Sequence, residues 1–331
     1  MRKVKATISH PVDSEPEDYS AHDLSGSAER LTIPDSLSGL RADAALAALM
    51  PEYSRSRIQS WLKARLVTVD GVAADPKRKV WAGETVIILT PPDPTELACE
   101  PEDMPLQVVF EDAEILVLDK PAGLVVHPGS GNWSGTLMNG LLHYLPGARA
   151  VPRAGIVHRL DKDTSGLLVV AKSVQAQLDL VRQLQARSVK REYLALVWGS
   201  PPDQGTVDAP IDRHPSVRTR MAVVAGGREA RTHFESRERF GDCALVACSL
   251  ETGRTHQIRV HMAHLGHPLV GDPVYGRKRA ARPTLAQFPR QALHARRLGL
   301  THPASGERLH WEVALPEDFA GLLKSLRESG S

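Results

Sequence analysis

Between His158 and Ser165 the chain reads His-Arg-Leu-Asp-Lys-Asp-Thr-Ser. Within this octet Asp161 is the group with the clearest chemical use. It stands three residues after His158, two after Arg159 and next to Lys162. Cations at that range favour the charged form of a carboxylate, which suits a nucleophile or a general base. The same spacing also describes a loop of solvated charges holding a satisfied ion pair. The residues that follow bear on which it is. Gly166 punctuates, and Leu167–Ala171 is a short apolar run, β-branched at Val169 and Val170, as buried strands are. A charged loop that feeds a core strand has its polar groups fixed by a rigid element.

Other polar stretches are less specific by themselves. Lys190–Val197 reads Lys-Arg-Glu-Tyr-Leu-Ala-Leu-Val and puts Tyr193 at the mouth of a strand, Leu194–Trp198. Most tyrosines there are half-buried packing residues. Gly253–His261 reads Gly-Arg-Thr-His-Gln-Ile-Arg-Val-His, and His264 and His267 follow. Four histidines in twelve residues invite a metal, but no Cys or carboxylate lies among them at ligand spacing, so no metal site is expected. The glycines from Gly129 to Gly135 lack the Gly-Lys-Ser/Thr ending of a phosphate loop. Gly205–Gly241 is hairpin-like and rich in arginine, with Arg213, Arg218, Arg220, Arg228, Arg231, Arg237 and Arg239, and guanidinium forks suit phosphate oxygens.

The elements that must position these groups fall into two domains, as 331 residues allow. Residues 1–29 are polar and read as a disordered tail without the apolar core of a signal peptide. Residues 30–90 form a small unit: a helix at Arg41–Leu49, a second at Arg55–Arg65 with Ser54 as N-cap, then Val67–Val69, an Asp70-Gly71 turn and a strand at Val86–Leu89. Residues 91–105 carry five of the prolines found between Thr90 and Pro105 and read as a semi-rigid linker. The second domain, 106–327, opens with Val108–Leu118, turns at Lys120-Pro121-Ala122-Gly123 and resumes as a strand at Leu124–Val126. Helices are predicted at Thr136–Leu145 and at Val174–Gln185, the latter with apolar residues at 174, 178 and 181, widened by Leu180 and Leu184. Strands follow at Leu245–Leu250, Leu293–Leu300 and Leu309–Val313, then a helix at Pro316–Arg327 and a frayed end, Glu328–Ser331.

Charge is unevenly spread. Residues 1–150 balance at −7, 151–300 at +11 and 301–331 at −2, within a net charge of +2. A basic body around the candidate site argues for a polyanionic partner, although an ordinary basic surface would give the same count. Cys99, Cys243 and Cys248 are expected to be free thiols in a reducing cytosol, and no apolar run approaches a membrane span.

Three ordered motifs, His158-Arg-Leu-Asp161-Lys-Asp-Thr-Ser-Gly-Leu-Leu168, Lys190–Val197 and Gly253–His261, together with Asp119-Lys-Pro-Ala-Gly-Leu-Val-Val-His-Pro128, resemble the RluA/RluD-type RNA pseudouridine synthases. The resemblance covers roughly 30–315, and residues 30–90 resemble an S4 (αL-type) RNA-binding domain through Arg41, Asp43, Ser54, Arg57, Gly71 and Gly83. It implies an α+β fold, with a mixed, largely antiparallel sheet as the catalytic domain. Asp161 then acts on the ribose, Tyr193 stacks on the target base and aids proton transfer, and Arg259 pairs with Asp161. Arg159 takes the place of a flipped base, and His158, Arg254, Arg41 and Arg57 are candidate RNA contacts, with 277–282 also facing RNA. The implied enzyme is cytoplasmic and needs no cofactor or metal, and monomer is the default expectation for its oligomeric state. Its implied partner is 23S ribosomal RNA or a large-subunit precursor, with the helix 69 hairpin as the target. Other rRNA or tRNA sites, or a role as a non-catalytic RNA-binding assembly factor, are the alternatives.

Overall fold

The structure, a computed structural model, describes residues 27–90, 98–129, 131–217, 219–276 and 283–329. Residues 1–26 of the expected tail, 91–97 of the expected linker, Arg218 and the cation-rich 277–282 lie outside them. The described chain divides into two compact units, one up to Ala98 with Gly129–Trp133, the other Cys99–Pro128 with Ser134–Ser331.

The first unit contains β1 (Ser27–Thr32), α1 (Ala42–Leu49), α2 (Arg55–Lys63), β2 (Val67–Val69), β3 (Val72–Ala73) and β4 (Thr85–Thr90). The strands pair antiparallel in the order β1-β4-β2-β3. Ala45 and Leu46 of α1 and Ile58, Trp61 and Leu62 of α2 close over Val67, Val69, Val86 and Ile88. Ser54 caps α2 by accepting the Arg57 N–H at 3.3 Å. That helix ends two residues earlier than predicted, because Arg65 turns left-handed (φ 59°). Strand β1 begins at Ser27, inside the stretch 1–29 expected as a tail, because 27–29 find ladder partners in Ile88–Thr90. Asp43 is fully buried and gathers donors: both edges of Arg41 at 3.0 and 3.1 Å, Arg55 at 3.1 and 3.3 Å, and Gln59 at 2.6 Å. Burial alone would raise its pKa, but these hydrogen bonds hold it below the usual carboxylate range.

The second unit runs β5 (Val108–Glu111), β6 (Ile115–Lys120), α3 (Leu137–Tyr144), β7 (Ser165–Ala171), α4 (Val174–Gln185), β8 (Lys190–Trp198), β9 (Gln204–Asp208), β10 (Ile211–Arg213), β11 (Met221–Val223), β12 (Arg231–Arg239), β13 (Cys243–Leu250), α5 (Gln257–His264), β14 (Leu293–Thr301), β15 (Arg308–Glu312) and α6 (Glu317–Ser329). Nine strands form one sheet in the order β5-β6-β7-β14-β8-β13-β12-β9, with β15 on β14, and β10–β11 is a separate hairpin. Among the described strands only β7–β14 is parallel, so the sheet is mixed and largely antiparallel as expected. On one face α3 and α5 pack through Leu137, Leu141, Ile258 and Met262. On the other, α4 covers β6 and β7, while α6 covers β8 and β13 through Phe319, Leu322, Leu323 and Leu326. Covered on both faces, β7 is buried at every residue, which is why its sequence is an unbroken apolar run.

Several predicted elements differ. Leu124–Val126 is not a strand, because its carbonyls serve elsewhere: Leu124 accepts from Lys120, and Val125 and Val126 accept the first N–H groups of α3. Helix α4 faces the sheet with Ala176 and Leu180, leaving Val174 and Leu178 about half exposed. Helix α6 continues through Ser329, two residues into the end expected to fray. Part of the expected linker packs on the second unit: Asn139 donates to the Glu100 carbonyl at 2.8 Å, and the Glu102 carboxylate accepts the Gly135 N–H at 2.9 Å.

Gly166 allows the β7–β14 contact. Its φ is +111°, and a Cβ there would lie 2.2 Å from the Ala295 carbonyl oxygen. Gly166→Ala is therefore expected to cost about 3 kcal/mol or more. Gly306→Ala, at a φ of +73° with open space around it, should cost only about 1–2 kcal/mol. Urea unfolding of the two variants beside wild type checks the difference; equal losses would mean that the close approach at Gly166 is unimportant.

Candidate active site

The loop between Ile156 and Ser165 is held from beneath by groups drawn from distant parts of the chain. Lys120, at the end of β6, is 1% exposed. Its ammonium donates to the carbonyls of Pro121, Leu124 and Lys162 at 2.8, 2.8 and 2.9 Å. Burial pushes its pKa down to about 7, against the pull of Asp163 and Asp161. The Gly123 N–H also donates to the Lys162 carbonyl, and Thr164 N–H closes the turn onto the Asp161 carbonyl. Arg290 donates to the Asp163 carbonyl at 3.0 Å while its other edge grips Asp318 at 2.7 and 2.9 Å. Gln291 reaches the Thr164 hydroxyl, and Ser165 pairs with His294 at 3.0 Å. The Arg290, Gln291 and His294 contacts follow from β14 lying parallel beside β7.

Asp161 is aimed by a chain of charges. Arg259, on α5, donates from Nη1 to Asp161 Oδ2 at 2.9 Å. Its Nε and Nη2 grip Asp272 at 2.7 and 3.0 Å. The Asp272 Oδ1 also accepts the N–H groups of Val274 and Tyr275 at 2.8 and 2.9 Å, and the Tyr275 ring lies 5.1 Å from the guanidinium. Burial alone would lower the Arg259 pKa and raise that of Asp272; their mutual hydrogen bonds reverse both, with Asp161 reinforcing Arg259. Arg259 is thus a fixed bridge between a fully buried carboxylate and one that faces the cavity.

That cavity is about 500 Å³, within the range of small-molecule sites. Among the described residues its lining holds six arginines and one carboxylate, Asp161. Of the residues singled out from sequence, Asp161, Tyr193, Arg259, Arg159, His158 and Arg254 all line it. Tyr193, on β8, is 6% exposed, and burial pushes its phenol pKa up, so it keeps its proton at neutral pH. Arg159 is exposed at the wall beside Asp161. His158 is partly committed: Nε2 accepts the Val169 N–H at 3.1 Å, and burial pushes its pKa down to about 3. Arg254 donates to the Glu229 carbonyl at 2.9 Å. Arg41 and Arg57 belong to the first unit, where Arg41 is half exposed on Asp43 and Arg57 lies over the rings of Tyr53 and Trp61. The histidines of the third motif diverge: His256 meets Tyr275, His261 meets Thr232 and the Ala209 carbonyl, and His267 meets the Trp198 carbonyl.

Sequence reasoning missed Asp272, Lys120 and the place of His256. The signal for Asp272 was its setting, Gly271-Asp272-Pro273, a turn in which an Asp side chain commonly caps following N–H groups. Asp272→Asn leaves a buried guanidinium with one carboxylate, so a stability loss of about 3–5 kcal/mol is expected. Because the folded pKa of Asp272 is depressed, its contribution is complete above the ordinary value near 4 and is lost as pH falls through the folded value. Urea unfolding should therefore show a steeper acid decline for wild type than for Asp272→Asn, and parallel curves would refute the assignment.

A family model described as RNA pseudouridylate synthase matches residues 114–264, and an S4 domain model matches 40–86. The chain is 57% identical to ribosomal large subunit pseudouridine synthase D of Nitrosomonas europaea over 300 residues, covering 90% of this chain and 87% of the relative. It is 51% identical to the protein of that name from Xanthomonas campestris pv. campestris, covering 95% and 97%. Among solved structures, human RNA pseudouridylate synthase domain containing 4 superposes with a TM-score of 0.54 at 27% identity, over 67% of this chain and 93% of that one. With a single carboxylate held at the mouth of a basic cavity and identity of this extent to synthases along nearly its whole length, the chain belongs to the RNA pseudouridine synthases, in the same family as the D-type enzymes, and carries an S4 domain.

Proposed function

We propose that this enzyme converts uridines of large-subunit (23S) ribosomal RNA to pseudouridine in the cytoplasm, acting as a monomer on the helix 69 hairpin. The names of its relatives and its S4 domain support the RNA class; the hairpin itself rests on the resemblance of the whole layout to enzymes with that target. In this reading residues 30–90 bind RNA, with Arg41 and Arg57 among the contacts, and 106–327 carry the catalysis.

The observation that carries the reading is Asp161, the lone carboxylate of an arginine-lined cavity, held at 2.9 Å by a buried Arg259. A uridine must leave its stack before a carboxylate can reach its sugar. Arg159, exposed beside Asp161, fills the vacated place. Asp161 then acts on the ribose, as nucleophile at C1′ or as base at C2′, while the C1′–N1 bond breaks. The freed base turns in the cavity against the Tyr193 ring, and C5 joins C1′ as the Asp161–C1′ bond breaks in the first route, or as the Asp161 carboxyl returns the proton to C2′ in the second. The C5 proton leaves, with the Tyr193 hydroxyl aiding its transfer, and N1 gains a proton, so the isomerisation balances without a redox partner. Arg259 keeps the carboxylate aimed, and His158 and Arg254 contribute to the wall that receives RNA.

Tritium release from an rRNA fragment labelled at uridine C5 tests the chemistry. Wild type should release tritium without strand cleavage. Asp161→Asn should fall below detection while its affinity for the fragment stays within about threefold, since phosphate contacts supply most of that affinity. Near-normal release by Asp161→Asn would sink the reading. Carbodiimide mapping of rRNA from cells lacking the protein tests the target: unmodified uridines should appear in helix 69, and an unchanged helix 69 with loss elsewhere would reassign it.

A further inference from the structure

His256 is an unusual helix opening. It is the N-cap of α5 in a left-handed conformation (φ 57°, ψ 21°), and its side chain makes no cap hydrogen bond. N-cap residues are normally extended, with a short polar side chain turned onto the helix. A left-handed backbone at a residue with a Cβ costs about 1–2 kcal/mol, and such strain at a cavity wall points to a use. The imidazole is turned away from the helix. Its Nδ1 lies 2.9 Å from the Tyr275 hydroxyl, which in turn accepts the Met221 N–H at 2.9 Å. Accepting from Met221 leaves the Tyr275 hydroxyl hydrogen available to Nδ1. In that arrangement the neutral ring carries its hydrogen on Nε2, the nitrogen that faces Asp161 Oδ1 across 3.9 Å. Around it stand Asp161 and Arg159 of the loop, Arg259 of α5, and Asp272 and Tyr275 of the turn that follows. Burial outweighs the pull of Asp161 and holds the imidazole below its ordinary pKa, so it is neutral at pH 7.

A gap of 3.9 Å is too long for a hydrogen bond but fits a hydroxyl bonded to both sides, at about 2.8 Å from each with a bent angle at its oxygen. If Asp161 reaches C1′ or C2′, the 2′-hydroxyl stands within reach of the same carboxylate. We propose that His256 Nε2–H and Asp161 Oδ1 together hold the 2′-hydroxyl of the target uridine, the imidazole donating and the carboxylate accepting. His256 is then a ribose-recognising residue whose tautomer is set by Tyr275, and through Tyr275 the β10–β11 hairpin at Met221 is tied to the site. The inference rests on the reading of Asp161 given above.

The test is a cycle of two enzymes and two substrates. Wild type and His256→Asn act on an RNA fragment whose target is either uridine or 2′-deoxyuridine, read by single-turnover tritium release. Asn tolerates a left-handed backbone but does not reach Asp161. His256→Asn should lose about tenfold or more on the ribose target and stay within about threefold of wild type on the deoxy target, with an unchanged melting temperature. Tyr275→Phe should lose less, again only on the ribose target. Equal losses on both targets, or no loss on either, would overturn the proposal. Failure of wild type to release tritium, or normal release by Asp161→Asn, would instead strike the reading of Asp161 itself.

Discussion

A guanidinium shared by two carboxylates is the constraint around which the second unit is built. Burying Arg259 would be costly with one partner and is tolerable with two, because every edge of the fork has an acceptor. Asp272 is the anchor, since two backbone N–H groups and the guanidinium hold it from three directions. Asp161 is the exposed end of the same relay. Its side chain is aimed by the buried guanidinium, while its backbone is placed by the loop that carries it. Removing the inner carboxylate therefore changes the outer one, although the two never touch.

The relay works only if the loop bearing Asp161 arrives at α5 in a fixed pose, and the parallel pairing of β7 with β14 ensures this. An antiparallel neighbour would have brought a different end of β14 beside the loop. As built, Arg290, Gln291 and His294 lie next to Asp163, Thr164 and Ser165 and bind their backbone or side chains. Lys120 supplies the same service from β6, spending its three donors on three carbonyls. Gly155 and Gly166 bracket the loop where backbones nearly touch: a Cβ at Gly155 would fall 1.8 Å from the Ala171 carbonyl oxygen. The loop is thus irregular in shape but clamped at nearly every turn, so its polar atoms are satisfied without a ladder.

Much of this was legible in the chain and some was not, for physical reasons. The buried strand at 167–171 declared itself because a strand covered on both faces has no polar side to show, while Ser165 and Gly166, its first two residues, read as part of the loop. Asp161, Tyr193 and Arg259 were found through motif words, and they meet in one cavity. By spacing alone Arg259 could not have been separated from Arg254, since which arginine is buried depends on α5, a helix whose apolar positions are crowded by histidines. Leu124–Val126 misled because an apolar, β-branched triplet looks like a strand whether its carbonyls pair with a neighbour or cap a helix. Asp272 and Lys120 escaped because their decisive partners, Arg259 and the Lys162 carbonyl, lie 13 and 42 residues away, and nothing in a local pattern records a long-range contact. His256 was weighed as a metal ligand because histidine spacing is visible and backbone handedness is not.

The arginines of the cavity divide by burial, and the division matches two jobs. Arg191 and Arg259 are buried and bonded within the protein, whereas Arg153, Arg159 and Arg228 are exposed. Buried guanidiniums shape the wall, and exposed ones present their charge to solvent. The same loop and helix that aim one carboxylate thus also line its cavity with positive charge.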